Sequence, residues 1–238
     1  MQSAVYYTYE EDGWGDLLTY VSGNRIEYDE IGNPIKIGTY NASMGCWMSH
    51  YQLTWEGREL QSYQYFEYFD EDMYYPGQLV EFTYNADGIR TSKTVNGAKH
   101  EYILNGSQII AERFQTETGG EYEMCFIYDE KGAPIALKFR EKNAAAGVYQ
   151  CYFFEKNLQG DIIAIYNADG EKICTYTYDA WGNCTTTITS AASLLERNTV
   201  CQYNPFRYRG YYWDSEIGFY YVLSRYYKTK KIAKKLNF

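Results

Sequence analysis

Two histidines and six cysteines are the chain's candidates for nucleophilic or metal chemistry, and their spacing favours neither. A nucleophile–base pair would have to use His50 or His100, because general-base activation of a serine or thiol is most often imidazole work. Cys46 stands four residues before His50. In a strand that spacing holds two side chains about 13 Å apart on one face, so only a turn at Gly45 would join them. Cys46, Cys125, Cys151, Cys174, Cys184 and Cys201 make no Cys-x-x-Cys pair, which leaves no metal-site spacing and no cofactor to expect. Buried free thiols are the better reading than disulfides. Asp161 and Asp179 sit inside repeated phrases and read as turn residues. Arg207 and Arg209 lie two apart in a tyrosine-rich stretch, Tyr203–Tyr227, that also holds Arg225. On one strand face they could orient acids. The preferred alternative has them stack on Tyr rings and pair with Asp214 or Glu216 across a hairpin.

The elements that position these groups come from a recurring unit: Tyr, then Asp or Asn, two further residues, and Gly. It occurs at Tyr28-Asp29…Gly32, Tyr84-Asn85…Gly88, Tyr128-Asp129…Gly132, Tyr166-Asn167…Gly170 and Tyr178-Asp179…Gly182, with a weaker copy at Tyr9-Glu10…Gly13. Turn chemistry accounts for the spacing. The Asp or Asn oxygen can accept from the amide two residues on, and the glycine takes the left-handed conformation that a type I turn with a G1 bulge needs. Tyrosine closes the incoming strand. Five copies of a strand–turn–strand unit predict a repeat architecture, an all-β antiparallel meander with little helix. Asn96-Gly97 and Asn105-Gly106 add expected two-residue hairpin turns of the I′ kind. Thr116–Gly120 adds another reversal, Asn143–Gly147 a loop, and Trp55–Leu60 a degenerate copy. One short helix is expected at Ser193–Asn198, with Ser193 and Glu196 as a capping box.

Composition agrees with a broad sheet. Tyrosine occurs 29 times in 238 residues, and a ring with a hydroxyl that needs a partner suits a partly wet sheet better than an oily core. The formal charge of −9 argues against nucleic acid as a partner. Five lysines in the last eleven residues conceal a still more acidic body. The N-terminus MQSAVYYTYEED lacks the apolar run of a signal peptide, and no window approaches the roughly 18 apolar residues of a membrane span.

The densest information lies between Tyr203 and Tyr227. Asn204-Pro205 opens the stretch in extended conformation. Strands are expected at about Phe206–Trp213 and Phe219–Tyr227, around a reversal at Asp214–Gly218. As a whole, NPFRYRGYYWDSEIGFYYVLSRYY (Asn204, Pro205, Phe206, Arg207, Tyr208, Arg209, Gly210, Tyr211 through Asp214 and Gly218 to Arg225, Tyr226, Tyr227) closely resembles the segment that defines the RHS repeat-associated core domain. The phrase NLQGDIIAIYNADGEKICTYTYDAWGN before it resembles the same core. The resemblance is strong over 157–227, covers 6–227 as YD repeats, and divides the chain into a YD-repeat region (1–156), a core segment (157–227) and a divergent lysine-rich tail (228–238).

In that family, YD repeats build a spiral shell around a C-terminal toxin, members are secreted or held at the cell surface, and the core frees the toxin by aspartyl self-cleavage. The resemblance therefore implies a structural wall segment, an arc of such a shell. Its partners would be the rest of a shell or an enclosed toxin, with self-association through sheet edges. The family's Asp-Pro pairs after the final Arg-Tyr-Tyr are missing here, and no carboxyl side chain follows Glu216. A core truncated ahead of its cargo, without enzymatic activity, is the expectation. A glycan- or cell-wall-binding module presenting exposed tyrosines is the alternative.

Overall fold

The structure is a computed structural model that describes residues 7–10, 15, 17–21, 23–70, 73–116, 119–142, 148–223 and 225–228, the side chains of 69, 70 and 228 excepted. The loop expected at Asn143–Gly147, the glycine of the weak Tyr9 unit and the tail beyond 228 lie outside the described residues. Backbone contacts divide the chain into two compact units, Met1–Thr83 with Thr94–Asn96, and Tyr84–Lys93 with Gly97–Lys231.

The first unit holds the strands β1 (Tyr7–Tyr9), β2 (Leu18–Val21), β3 (Asn24–Tyr28), β4 (Pro34–Asn41), β5 (Cys46–Glu56), β6 (Glu59–Asp70) and β7 (Met73–Tyr84, with Tyr84 in the second unit). They form an antiparallel meander in chain order. Its centre is the β4–β5 pair, where Gly38 faces His50. A Cβ at Gly38 would be driven into the Ser49 carbonyl oxygen and the His50 Cα. The strands close to this separation because no side chain stands there. His50 is thereby buried among the rings of Trp47, Phe66 and Tyr74, with centroids 5.3–5.5 Å away.

The second unit continues with β8 (Arg90–Val95, its last two residues in the first unit), β9 (Ala98–Asn105), β10 (Gln108–Gln115), β11 (Glu121–Tyr128), β12 (Pro134–Glu141), β13 (Gln150–Lys156), β14 (Ile162–Tyr166), β15 (Lys172–Tyr178) and β16 (Cys184–Ile188). This too is an antiparallel meander in chain order. Alternation in β12 (Pro-Ile-Ala-Leu-Lys-Phe-Arg-Glu) turns Leu137 and Phe139 to a core that Ile109 and Phe114 of β10 share, the register shift between Ile109 and Ala111 offsetting their odd spacing. After β16 the chain leaves the sheet through α1 (Leu194–Asn198), α2 (Val200–Tyr203) and a 3-10 turn at Tyr208–Gly210. It then forms a three-stranded sheet of β17 (Tyr212–Asp214), β18 (Phe219–Val222) and β19 (Arg225–Lys228). Ser193 caps α1 with the expected reciprocal box, its hydroxyl accepting from the Glu196 amide while the Glu196 carboxylate accepts from the Ser193 amide. Val200, Cys201, Phe206, Tyr212 and Tyr221 from this C-terminal segment enter the same core as β9–β15.

Three expectations change. Phe206–Trp213 is not one strand: Phe206 makes an isolated bridge to Tyr212, and Arg209 at φ 56 tightens the chain into the 3-10 turn between them. Phe219–Tyr227 breaks at Leu223, whose φ of 55 folds the run into two paired strands. Asn96-Gly97 has the positive φ at both residues that type I′ demands, but Asn105 stays in β9, and the loop there is Gly106-Ser107. A single left-handed glycine (φ 59) suffices for that reversal, which is also of two residues.

Candidate functional site

The repeat corners share one bonding pattern. At Asp29 the carboxylate Oδ1 accepts from the amides of Ile31 (3.1 Å) and Asn33 (2.7 Å), and the Gly32 amide donates to the Asp29 carbonyl (3.1 Å). Asn85, Asp129, Asn167 and Asp179 accept in the same way from the residues two and four ahead. Asn157 builds a sixth corner of this kind with Gly160. The repeat tyrosines brace these corners. Tyr28, Tyr128 and Tyr178 donate their hydroxyls to the carbonyls of Leu18, Ile109 and Ile162 on the neighbouring strand. A ring thus covers the hairpin while its hydroxyl satisfies a carbonyl that phenylalanine would leave bare.

The second unit also contains a buried ion cluster, and this is where its chemistry concentrates. Asp214, fully buried at the end of β17, accepts at Oδ2 from Arg90 (2.6 Å) and at Oδ1 from Lys93 Nζ (3.0 Å). Lys93 also donates to Glu216 Oε2 (3.0 Å). The Arg90 guanidinium lies against the rings of Tyr221 (4.1 Å), Tyr212 (5.0 Å) and Tyr102 (5.1 Å). Beside it Glu112 bonds His100 Nδ1 (2.7 Å) and accepts from the Tyr212 hydroxyl (2.8 Å). A cavity of about 20 Å³ lies among Lys93, His100, Glu112, Trp213, Ser215 and Glu216, room for roughly one water.

Burial works against the charges of Arg90, Lys93, Glu112 and Glu216, yet their partners outweigh it. The carboxyl of Glu112 is held below its usual range by His100, Lys93 and the Tyr212 hydroxyl despite its burial. That of Glu216 is held down by Lys93 and His100, again against burial. Burial pulls Lys93 down, but Glu216 and Asp214 hold it well above the ordinary amine value. Acid–base work by two carboxyls needs one of them held up and protonated. Here Glu112 and Glu216 are both pushed the other way, and the arrangement suits a clamp. Breaking such a pair by deleting one partner costs about 3–5 kcal/mol, because a buried charge is left uncompensated.

Among the other candidates, Arg207 is buried, stacks on Tyr176 (4.6 Å) and donates to Thr186 Oγ1 (3.0 Å) and the Gln202 carbonyl (3.2 Å). Arg209 stacks on Tyr208 (5.3 Å). Tyrosine stacking is thus present, but pairing of either arginine with Asp214 or Glu216 is not, since Arg90 and Lys93 occupy those acids. Asp161 does more than turn the chain: its Oδ1 accepts from the Arg209 amide (2.8 Å) and docks the 3-10 turn. Asn204 bonds the Phe206 carbonyl (2.9 Å), and the Pro205 carbonyl accepts from Trp213 (2.7 Å). The Tyr226 hydroxyl bonds that of Tyr84 (2.8 Å), and Tyr227 donates to the Trp181 carbonyl. Cys46 and His50 lie along one continuous strand, β5, with no turn between them. Among the described residues no cluster of three potential metal ligands occurs, and no helix is long and apolar enough to cross a membrane.

Sequence reasoning missed Arg90, Lys93 and Glu112. In a strand, residues three apart face opposite ways, so Arg90 and Lys93 read as unrelated, and their shared partner lies more than a hundred positions later. The motif's own Arg207, Arg209 and Arg225 stood ready as partners for Asp214 and Glu216, so nothing in it pointed to β8.

Residues 157–193 match the family model RHS Repeat. The chain is 29% identical over 213 residues to the tRNA nuclease WapA of Bacillus subtilis and 28% identical to the tRNA3(Ser)-specific nuclease WapA of Bacillus spizizenii. Each alignment takes in 90% of this chain and 8% of the relative's length. Among solved structures, TcdB2-TccC3 without its hypervariable C-terminal region is similar over 94% of this chain and 11% of that one, with a TM-score of 0.55 at 18% identity. The Photorhabdus luminescens Tc holotoxin pore is similar over 86% of this chain and 11% of that one, with a TM-score of 0.53 at 16% identity. The chain carries the RHS repeat and shares the strand meander of those proteins.

Proposed function

From the RHS repeat at 157–193 and this shared fold, we propose that the chain is a wall segment of an RHS shell, which encloses a toxin polypeptide and does not transform a substrate. The observation that carries the reading is the use to which its charged and polar groups are put. Corner acids bond turn amides, repeat tyrosines bond strand carbonyls, and the buried acids are consumed by Arg90, Lys93 and His100. On this reading the C-terminal segment is a plug riveted to β8–β10 through Asp214, Glu216 and Tyr212. The tRNA nuclease activity in the names of the WapA proteins belongs to chains of which this one spans 8%, and nothing in the residues above assigns it to this part. The glycan-binding alternative loses ground: among the described residues only Tyr7, Tyr9, Tyr20, Tyr75, Tyr211 and Tyr227 are exposed tyrosines, and the rest are buried or half-buried.

The test is to incubate the purified chain with total tRNA while following its own mass. Intact tRNA and an unchanged protein mass are expected. Cleaved tRNA, or release of a defined fragment near residue 228, would overturn the reading.

A further inference from the structure

We propose that Cys174 and Cys201 are a redox-closable pair: joined as a disulfide, they staple α2, and with it the C-terminal segment, to β15. Cys174 stands in β15 and Cys201 in α2. Both are shut inside the second unit's core, 0% and 1% exposed. Their thiols are free in this structure and hydrogen-bonded to each other. Cys201 Sγ also lies 3.9 Å from the carbonyl oxygen of Ile173, the residue before Cys174. The other thiols face different groups: Cys125 meets Glu123 (3.9 Å) and Tyr149 (4.0 Å), and Cys184 meets Arg207 (3.6 Å). Among the described residues no second pair of thiols comes together.

The pair sits where a covalent link would count. The helix α2 has four residues, and Thr199 before it supplies no side-chain cap. A helix that short does not stand alone, and the packing of Val200 and Cys201 is what holds it to the sheet. Closing the loop between Cys174 and Cys201 restricts the unfolded chain and so favours the docked one. The link would act independently of the ion cluster at Asp214, which clamps the segment further along the chain.

The chemistry is thiol–disulfide exchange, with a small-molecule disulfide as the oxidant. The bond to Cys201, the Tyr176 hydroxyl and the Arg207 guanidinium hold the Cys174 thiol below its ordinary value in spite of burial. The same bond, together with burial, pushes the Cys201 thiol up. Cys174 is therefore the attacking thiolate. It displaces one thiolate from the small disulfide, and Cys201 then attacks the Cys174 sulfur and displaces the other. Two protein thiols become one S–S bond, one small-molecule S–S bond becomes two thiols, and the two protein protons end on the leaving groups. Exchange belongs to the docking of the segment, when the thiols meet and the core has not yet shut over them.

The test is to refold the full chain from urea in a glutathione redox buffer, block the remaining thiols, and map the cysteines by mass spectrometry. The expected product has one linked peptide pair, Cys174 with Cys201, and every other cysteine blocked. Its Tm should exceed that of the reduced chain by about 5 °C or more, and a reductant should open the link only once urea is added. A C174A/C201A variant should melt at one temperature in oxidising and reducing buffer alike. A fully blocked set of cysteines, a different pair, glutathione adducts in place of the link, or a link that leaves Tm unchanged overturns the proposal. None of these outcomes bears on whether tRNA or the chain itself is cleaved, so the wall reading stands or falls separately.

Discussion

His50 in the first unit and Asp214 in the second are both buried polar side chains, 4% and 0% exposed, and they tolerate burial by opposite means. His50 stays neutral: its Nδ1 has no hydrogen-bond partner, rings surround it, and burial together with nearby Lys36 pushes its pKa down to about 4. Asp214 is buried in company, within 2.6 Å of Arg90 and 3.0 Å of Lys93. A group that escapes ionisation is held by shape and answers to steric change. A group that is ionised and paired is held by its partners and answers to their removal.

The widest test of that contrast is Asp214→Ala, which takes the buried acid from Arg90 and leaves Lys93 only Glu216. Urea unfolding should show the second unit weakened by about 4 kcal/mol. A loss below about 1 kcal/mol would make the cluster incidental. Gly38→Ala probes the other strategy, since the added methyl strikes the opposing strand backbone. A loss of about 3 kcal/mol is expected from such overpacking, in the first unit and with no change in the second unit's amide exchange.

Acid should separate the two units next. His50 has a folded pKa of about 4 against 6.5 for the free side chain. Between those values the unfolded chain takes up a proton that the folded one refuses, so this contribution is complete above pH 6.5 and is lost as pH falls toward 4. Glu112 and Glu216 are held below their free value of 4.5. Their contribution is complete above that pH and is lost only as pH falls below it. Amide exchange during an acid titration should open the first unit before the second, and His50→Phe should remove the earlier transition. Simultaneous opening would erase the distinction. The smallest effect is expected at an exposed corner: Asn167→Ala removes bonds to the amides of Asp169 and Glu171 and should cost about 1 kcal/mol, read as a small shift in urea midpoint.

Legibility differed in the same way. The corners could be read because each is closed within five residues: Asp29, Asn85, Asp129, Asn167 and Asp179 find their partners two and four positions ahead. The Asn157 corner escaped because Lys156 precedes it where the template has tyrosine. Phe206–Trp213 was misread because alternation of rings and polar residues suggests a strand, while the left-handed Arg209 is stabilised by Asp161, 48 residues away.

Local spacing by itself therefore determined that this chain turns often, pairs antiparallel and builds a tyrosine-lined meander, because turn bonds and strand alternation act over a few residues. Which charges meet was decided only by the tertiary structure. Arg90 and Lys93 acquire Asp214 when the C-terminal segment folds back across the sheet, and a contact spanning that much chain leaves no periodicity in the sequence to betray it.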